Sequence, residues 1–209
     1  AARNAGADDY ACFLGAGSYD HAIPSPINHL ISRGEFFTAY TPYQPEASQG
    51  TLRTIFEYQT MMAELTGMDV ANASIYDGAS SLAEAVLMAH AGTGRDAILL
   101  SRGVNPLYRQ VVETYCEGVD VRLRSAPLGD GVTDLEALRK AVSEKTAAVV
   151  VQYPNFFGCL EDVRAAAEIA HAAGALLVVV ADPVNLGLLT PPGALGADIV
   201  VGEGQGLGV

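Results

Sequence analysis

Three features of the chain carry residues whose types and order could do chemistry. The first is Asp77-Gly78-Ala79-Ser80-Ser81, where a glycine and two hydroxyls open a helical pattern. Backbone N–H groups at such a helix start, with the Ser80 and Ser81 hydroxyls, suit a phosphate monoester. The same residues also suit a plain turn capped by Ser81, and the sequence leaves both readings open. The second is Asp182, which directly follows the most apolar run, Ala175–Ala181, and so falls at the carboxyl end of a strand. A buried carboxylate is costly unless paired; the alternative is that Asp182, before Pro183, starts a turn. The third is a scarcity. Only Lys140 and Lys145 are lysines among 12 basic residues, and lysine alone supplies an amine that forms an imine.

One partner that would use both a phosphate cup and a strand-end aspartate is pyridoxal phosphate (PLP), whose protonated ring nitrogen pairs with a carboxylate and makes the ring an electron sink. Two other glycine-rich places compete weakly for a nucleotide. Gly15-Ala16-Gly17 has no strand before it and carries Asp20 where a glycine would follow. The tail Gly202-Glu203-Gly204 reaches Leu207 at the third glycine position.

Length and composition bound the answer. A chain of 209 residues fits one large domain, since about 100–200 residues per domain is usual. Half the residues are hydrophobic and 17% are charged, which excludes intrinsic disorder. The net charge of −12, without a basic stripe, argues against nucleic acid or an anionic membrane surface as partner. Cys12, Cys116 and Cys159 form no CxxC pair; this odd, sparse count fits a reducing cytoplasm. His21, His29, His90 and His171 have no ligand spacing, so no metal is expected. No apolar run reaches the ~20 residues of a membrane span, and the N-terminus lacks the pattern of a signal peptide.

The elements that must position these residues alternate. Candidate strands are Ala71–Ile75, Ala97–Ser101, Val119–Arg124, Ala147–Gln152, Ala175–Ala181 and Asp198–Val201. The runs at 147–151 and 175–181 are apolar on both faces, as in parallel strands covered by helices. Helices are expected between them, with capping-box spacing at Ser81…Glu84 and again at Thr133…Glu136. A further helix over 162–173 closes at Gly174. Upstream, Leu52, Ile55, Phe56, Met62 and Leu65 share a helical face that ends at Gly67. Six β–α units predict an α/β fold with a mostly parallel, doubly wound sheet and ligands at its carboxyl edge. The chain ends soon after the sixth strand with no covering helix, the expectation being that it is part of a longer protein.

The cup and the aspartate over residues 50–209 resemble the large domain of PLP-dependent transferases of the aspartate aminotransferase type (fold type I). The division expected is 1–49, an extended and helical lead-in, and 50–209, the large domain without its C-terminal small domain. In that fold the Schiff-base lysine follows the strand after the aspartate. Here that window is Gly202-Glu203-Gly204-Gln205-Gly206-Leu207-Gly208, and Gln205 stands near the lysine's place.

A longer motif is far more specific. Tyr40-Thr41-Pro42-Tyr43-Gln44-Pro45-Glu46-Ala47-Ser48-Gln49-Gly50, followed by Phe56-Glu57-Tyr58-Gln59-Thr60, closely resembles the signature of the glycine decarboxylase P-protein family of the glycine cleavage system. Gly15-Ala16-Gly17-Ser18-Tyr19-Asp20-His21, Tyr76-Asp77-Gly78-Ala79-Ser80, Tyr108-Arg109 and Gly202-Glu203-Gly204-Gln205 extend the likeness along nearly the whole chain.

That family occurs in many bacteria as two homologous subunits, and the missing lysine resembles subunit 1. The resemblance implies that subunits 1 and 2 together decarboxylate glycine and pass its aminomethyl group to the lipoyl group of H-protein, with PLP on subunit 2. It implies no covalent cofactor and no catalytic residue on this chain. Gly78, Ala79, Ser80, Ser81, Asn105 and Asp182 would then be a vestigial cofactor site. Asn105-Pro106 replaces an expected His-Pro, and Asn stacks poorly on a ring. Tyr40, Thr41, Pro42, Tyr43, Gln44, Glu46, Ser48 and Gln49 would serve a subunit interface or reach a substrate across it. Two alternatives stand beside this reading. One is another fold type I enzyme, aminotransferase- or desulfurase-like, whose lysine lies beyond residue 209; the other is a non-enzymatic scaffold.

Overall fold

The computed structural model describes residue 11, residues 13–15, residue 17 and residues 19–208. Cys12, Ala16 and Ser18 lie outside the described residues, as does the N-terminal stretch 1–10, where no signal-peptide pattern is expected.

The elements run α1 (Pro26–Ile31), α2 (Gln49–Thr66), α3 (Gly78–Thr93), β1 (Ala97–Ser101), α4 (Pro106–Cys116), β2 (Arg122–Ala126), β3 (Leu128–Gly129), β4 (Val132–Thr133), α5 (Leu135–Ala141), β5 (Thr146–Tyr153), α6 (Val163–Ala172), β6 (Leu176–Ala181) and β7 (Ile199–Val201). Five strands form one parallel sheet in the order β2-β1-β5-β6-β7. The direction of winding reverses between β1 and β5, so the crevice of a doubly wound sheet lies beyond their carboxyl ends.

The period of two along each strand sorts the core into two layers. Ile98, Leu100, Ala148, Val150, Val178 and Val180 face α3 and α4, together with Leu82, Val86 and Val112. Leu99, Val149, Val151, Leu177 and Val179 face α5 and α6, where they meet Leu138, Val163, Ala166 and Ile169. Each such side chain removed from water is worth roughly 1.5–3 kcal/mol. The helix-facing side chains are mostly alanine and valine, which lets the helices lie close on the strands. Arg95 ties one end of this sandwich: its Nη1 donates to the carbonyls of Thr146, Ala173 and Gly174 at 3.0, 2.9 and 2.7 Å. It thus takes up carbonyls that a helix terminus leaves unpaired.

Four sequence expectations change. Ala71–Ile75 is no strand: the segment pairs with no other strand, residues 72–75 are exposed, and the Ala71 carbonyl accepts instead from Gln59 Nε2 at 2.6 Å. Among the described residues the sheet therefore has five strands, not six. The second strand lies at Arg122–Ala126 rather than Val119–Arg124, because Val119–Val121 is spent on turn hydrogen bonds and Ala97 pairs first with Arg122.

Both capping boxes are displaced by a nearby aspartate. Asp77 caps α3, accepting from Ser80 N, so the helix starts at Gly78 and Ser81 lies within it. Asp134 caps α5, accepting from the amides of Glu136 and Ala137, while Thr133 belongs to β4. Two helix ends fall where expected: α2 ends at Gly67 in the left-handed region (φ 71°), and Gly174 follows α6 with φ 68°. No helix of the described residues is long and apolar enough to cross a membrane.

Candidate functional site

The carboxyl edge of the sheet gathers the first turn of α3, the first turn of α4, the loop after β6 and the loop after β7. A helix start leaves its first amides without helical partners, and the structure shows where those of α3 go. Gly78 N donates to Glu203 Oε2 at 3.0 Å. Ser80 N donates to Asp77 Oδ1 at 2.8 Å, and Ser81 N to the Asp77 carbonyl at 2.9 Å. The two serine hydroxyls turn the same way, Ser80 Oγ to Asp77 Oδ2 at 2.8 Å and Ser81 Oγ to the Asp77 carbonyl at 2.7 Å. The Ser80 amide, joined by its hydroxyl, holds the Asp77 carboxyl below the usual aspartate range.

Tyr108, from the first turn of α4, closes over this turn. A Cβ at position 78 would come within 2.5 Å of its hydroxyl, so any other residue there requires the ring to move. Burial pushes the Tyr108 hydroxyl up, and the negative charges of Glu203, Asp77 and Asp182 push it further in the same direction. Three carboxylates thus bear on one phenol. Among the described residues, none of the ion pairs involves any of the three.

Asp182 sits at the end of β6, half-buried. Its Oδ1 accepts from Val184 N and its Oδ2 from Asn185 Nδ2, each at 3.0 Å, which is the geometry of the turn alternative. Asn105 caps α4 through Leu107 N at 2.9 Å, and its own amide donates to Gln152 Oε1 at 2.8 Å beside the β1–β5 reversal. Its side chain is therefore engaged in helix capping rather than turned to a ring. Gln205 is exposed in the short turn after β7, its amide directed to Glu203 Oε1 at 3.3 Å.

Two glycines of the 202–208 loop lie where a side chain would be crowded. A Cβ at Gly202 would run into the Ala181 carbonyl, and one at Gly206 would lie 2.9 Å from His21 Nε2. The Tyr40–Gly50 motif forms the turn that leads into α2: Ser48 N reaches the Gln44 and Pro45 carbonyls, and Gln49 Nε2 donates to Pro45 O at 2.7 Å. Tyr40 lines an open cleft of about 600 Å³ with Tyr76, Ser80, Glu84 and Tyr115. Thr41, Tyr43, Gln44 and Glu46 are exposed and Pro42 is half-buried.

So the structure brings Gly78, Ser80 and Asp182 to one edge with Tyr108, and sets Tyr40 near Ser80 on the outer side of α3. Sequence reasoning missed Glu203. A single Glu between two glycines carries no local signal, and its partner amide is 125 residues away.

The profile of one protein family, described as "Glycine cleavage system P-protein", matches residues 1–209. A protein of Desulforamulus reducens named "Probable glycine dehydrogenase (decarboxylating) subunit 1" is 58% identical over 209 residues. One of the same name from Geobacillus kaustophilus is 55% identical over 209 residues. Each alignment covers 100% of this chain and 47% of the relative, so the chain spans about half the length of the curated relatives it matches. A crystal structure of glycine decarboxylase (P-protein) of the glycine cleavage system, in inhibitor-bound form, superposes with a TM-score of 0.89 at 57% identity. It covers 94% of this chain and 44% of that one. The cysteine desulfurase CsdA of Escherichia coli superposes with a TM-score of 0.61 at 14% identity, over 86% of this chain and 46% of its own; that likeness concerns the fold alone.

Proposed function

The chain belongs to the glycine cleavage system P-protein family, and from that premise we propose that it is part of the lysine-less subunit 1 of a two-subunit glycine decarboxylase. With subunit 2 it would decarboxylate glycine and deliver the aminomethyl group to the lipoyl group of H-protein. PLP, carried by subunit 2, would supply the electron sink for the carbanion left by decarboxylation.

One observation carries the reading. After β7, where the related PLP fold has its lysine, this chain has Gly204-Gln205, and an amide side chain forms no imine. The two lysines, Lys140 and Lys145, lie in α5 and in the loop after it, within the opposite helical layer. The role left to this chain is to complete the subunit interface. Tyr40 and Tyr43, both strongly exposed at 92% and 76%, lie in the motif that would form that contact. A desulfurase-like activity is disfavoured because the cysteine desulfurase shares the fold at only 14% identity, against 58% for the glycine dehydrogenase relative.

The test is copurification of the full-length protein with subunit 2, followed by exchange of bicarbonate into the glycine carboxyl group. Exchange is expected only with both subunits present. Equal exchange by subunit 2 alone would overturn the assignment, as would a borohydride-reducible PLP adduct on Lys140 or Lys145.

A further inference from the structure

A PLP phosphate in this fold would have to find free donors at the start of α3 and little negative charge nearby. Neither condition is met. The amides of Gly78 and Ser80 are engaged, the Ala79 amide also bears on the Asp77 carboxyl, both serine hydroxyls are taken up, and every acceptor belongs to Asp77 or Glu203. A phosphate ester, with a charge of about −1.5 to −2, would face Asp77, Asp182 and Glu203 around the Tyr108 hydroxyl. The residues present do not fit the group.

Glu203 is the informative member. Asp77 is an ordinary helix cap, local to α3. Glu203 arrives from the loop after β7, a strand against which α3 packs, and places a carboxylate oxygen on the first amide of α3, where a helix start attracts an anion. Its second oxygen accepts from Gln205 N, so one side chain both fills the cup and shapes the turn that carries Gln205. The surrounding glycines support this placement: Gly202 is pressed on the end of β6, and Gly206 lies against His21 and Val184.

We propose that Glu203 is a built-in anion that closes the phosphate cup, so that this chain rejects phosphate-bearing cofactors for a reason separate from its missing lysine. Glu203 closes the cup whether or not the chain pairs with a second subunit. It has a direct consequence for reversal: restoring a lysine alone does not restore a cofactor site. Freeing one charge-assisted hydrogen bond and removing one like charge should strengthen anion binding roughly tenfold or more.

The experiment uses the full-length protein carrying this chain, with Glu203→Ala, Glu203→Gln, Gln205→Lys and the Glu203→Ala/Gln205→Lys pair, each checked for folding by circular dichroism. Inorganic phosphate binding is read by phosphorus NMR, and PLP retention by visible absorbance after dialysis. Wild type and Gln205→Lys are expected to hold neither ligand. Glu203→Ala should bind phosphate roughly tenfold or more tighter than wild type, and only the pair should retain PLP. Glu203→Gln, whose amide oxygen can still accept from Gly78, should show a smaller gain and keeps the test alive if the alanine variant does not fold. Phosphate binding by wild type equal to that of a folded Glu203 variant would overturn the proposal. Retention of PLP by Gln205→Lys alone would also overturn it. Loss of subunit pairing bears on the proposed function and leaves these binding outcomes unaffected.

Discussion

Asn155 donates its side-chain amide to Glu161 at 2.9 Å, and both residues are buried. The other Glu161 oxygen accepts from Thr133 N at 2.9 Å. Asn155 completes the node by donating to the Gly131 carbonyl and accepting from the amides of Phe157 and Cys159. Next to it, Ser101 Oγ and Thr133 Oγ1 share a buried hydrogen bond at 2.7 Å. These contacts hold the β3–β4 hairpin and the loop after β5 against the end of β1, beside the reversal of the sheet. The hairpin itself is turned by Asp130 and Gly131, both at positive φ (51° and 85°), as a two-residue turn requires.

Glu161→Ala should therefore be costly although it removes no ion pair. It leaves the Thr133 amide and one Asn155 donor without acceptors in a closed site, an expected loss of about 2–4 kcal/mol. Glu161→Gln should lose less, because one oxygen still accepts. Urea unfolding of the full-length protein measures both; a loss below about 0.5 kcal/mol for the alanine variant would show that water serves the node instead.

Asp77 links stability to acid. Its folded carboxyl titrates below the unfolded value of ~3.9. Its contribution is therefore complete above that value and fades as pH falls through the lowered folded one. Asp77→Asn keeps a capping oxygen but not this titration, so the gap in melting temperature between wild type and variant should narrow below about pH 4. Asp77→Ala should cost about 1 kcal/mol at neutral pH. A gap unchanged down to about pH 2 would contradict the cap geometry.

Leu82, fully buried, anchors α3 against the sheet and so supports the turn that Glu203 reaches. Leu82→Ala should destabilise by about 2–5 kcal/mol, the cost of lost burial plus the cavity left behind. The same variant should raise hydrogen exchange at the Gly78 amide, since the helix loses its seat. Exchange at Gly78 unchanged in the variant would separate the cup from the core beneath it.

Much of this arrangement was legible in the sequence where a signal is local. The apolar runs at 147–151 and 175–181, the glycines closing α2 and α6, and the placing of Asp182 after a strand all follow from short-range patterns. The Tyr40–Gly50 motif pointed to the family on its own. Two kinds of information were not legible. Whether Ala71–Ile75 joins the sheet depends on a partner strand, and Gln59 of α2 takes its carbonyl instead. The fate of the α3 amides depends on Glu203, which reaches them only once all five strands have been laid down. The capping boxes failed for a smaller reason: Asp77 and Asp134, placed just ahead of the apolar pattern, are better caps for the amides they face than the Ser81 and Thr133 chosen from spacing.

The fit of Gly78 beneath Tyr108 yields a pairwise prediction. A Cβ at 78 would lie 2.5 Å from the Tyr108 hydroxyl and 3.1 Å from the ring carbons beside it. Gly78→Ala gains helix propensity of up to about 1 kcal/mol, yet forces the ring of the half-buried Tyr108 to move at a cost of about 1–3 kcal/mol. The net effect should be destabilising. Tyr108→Phe removes the nearest atom and leaves the 3.1 Å contacts, so the double variant should recover part of the loss, with a coupling of about 0.5–1.5 kcal/mol in a double-mutant cycle. Because the first amide of α3 also receives Glu203, Gly78→Ala should loosen the 202–208 turn in proportion, seen as faster proteolysis there. Additive losses in the cycle would show that Tyr108 moves aside freely and that position 78 is glycine for some reason other than this contact.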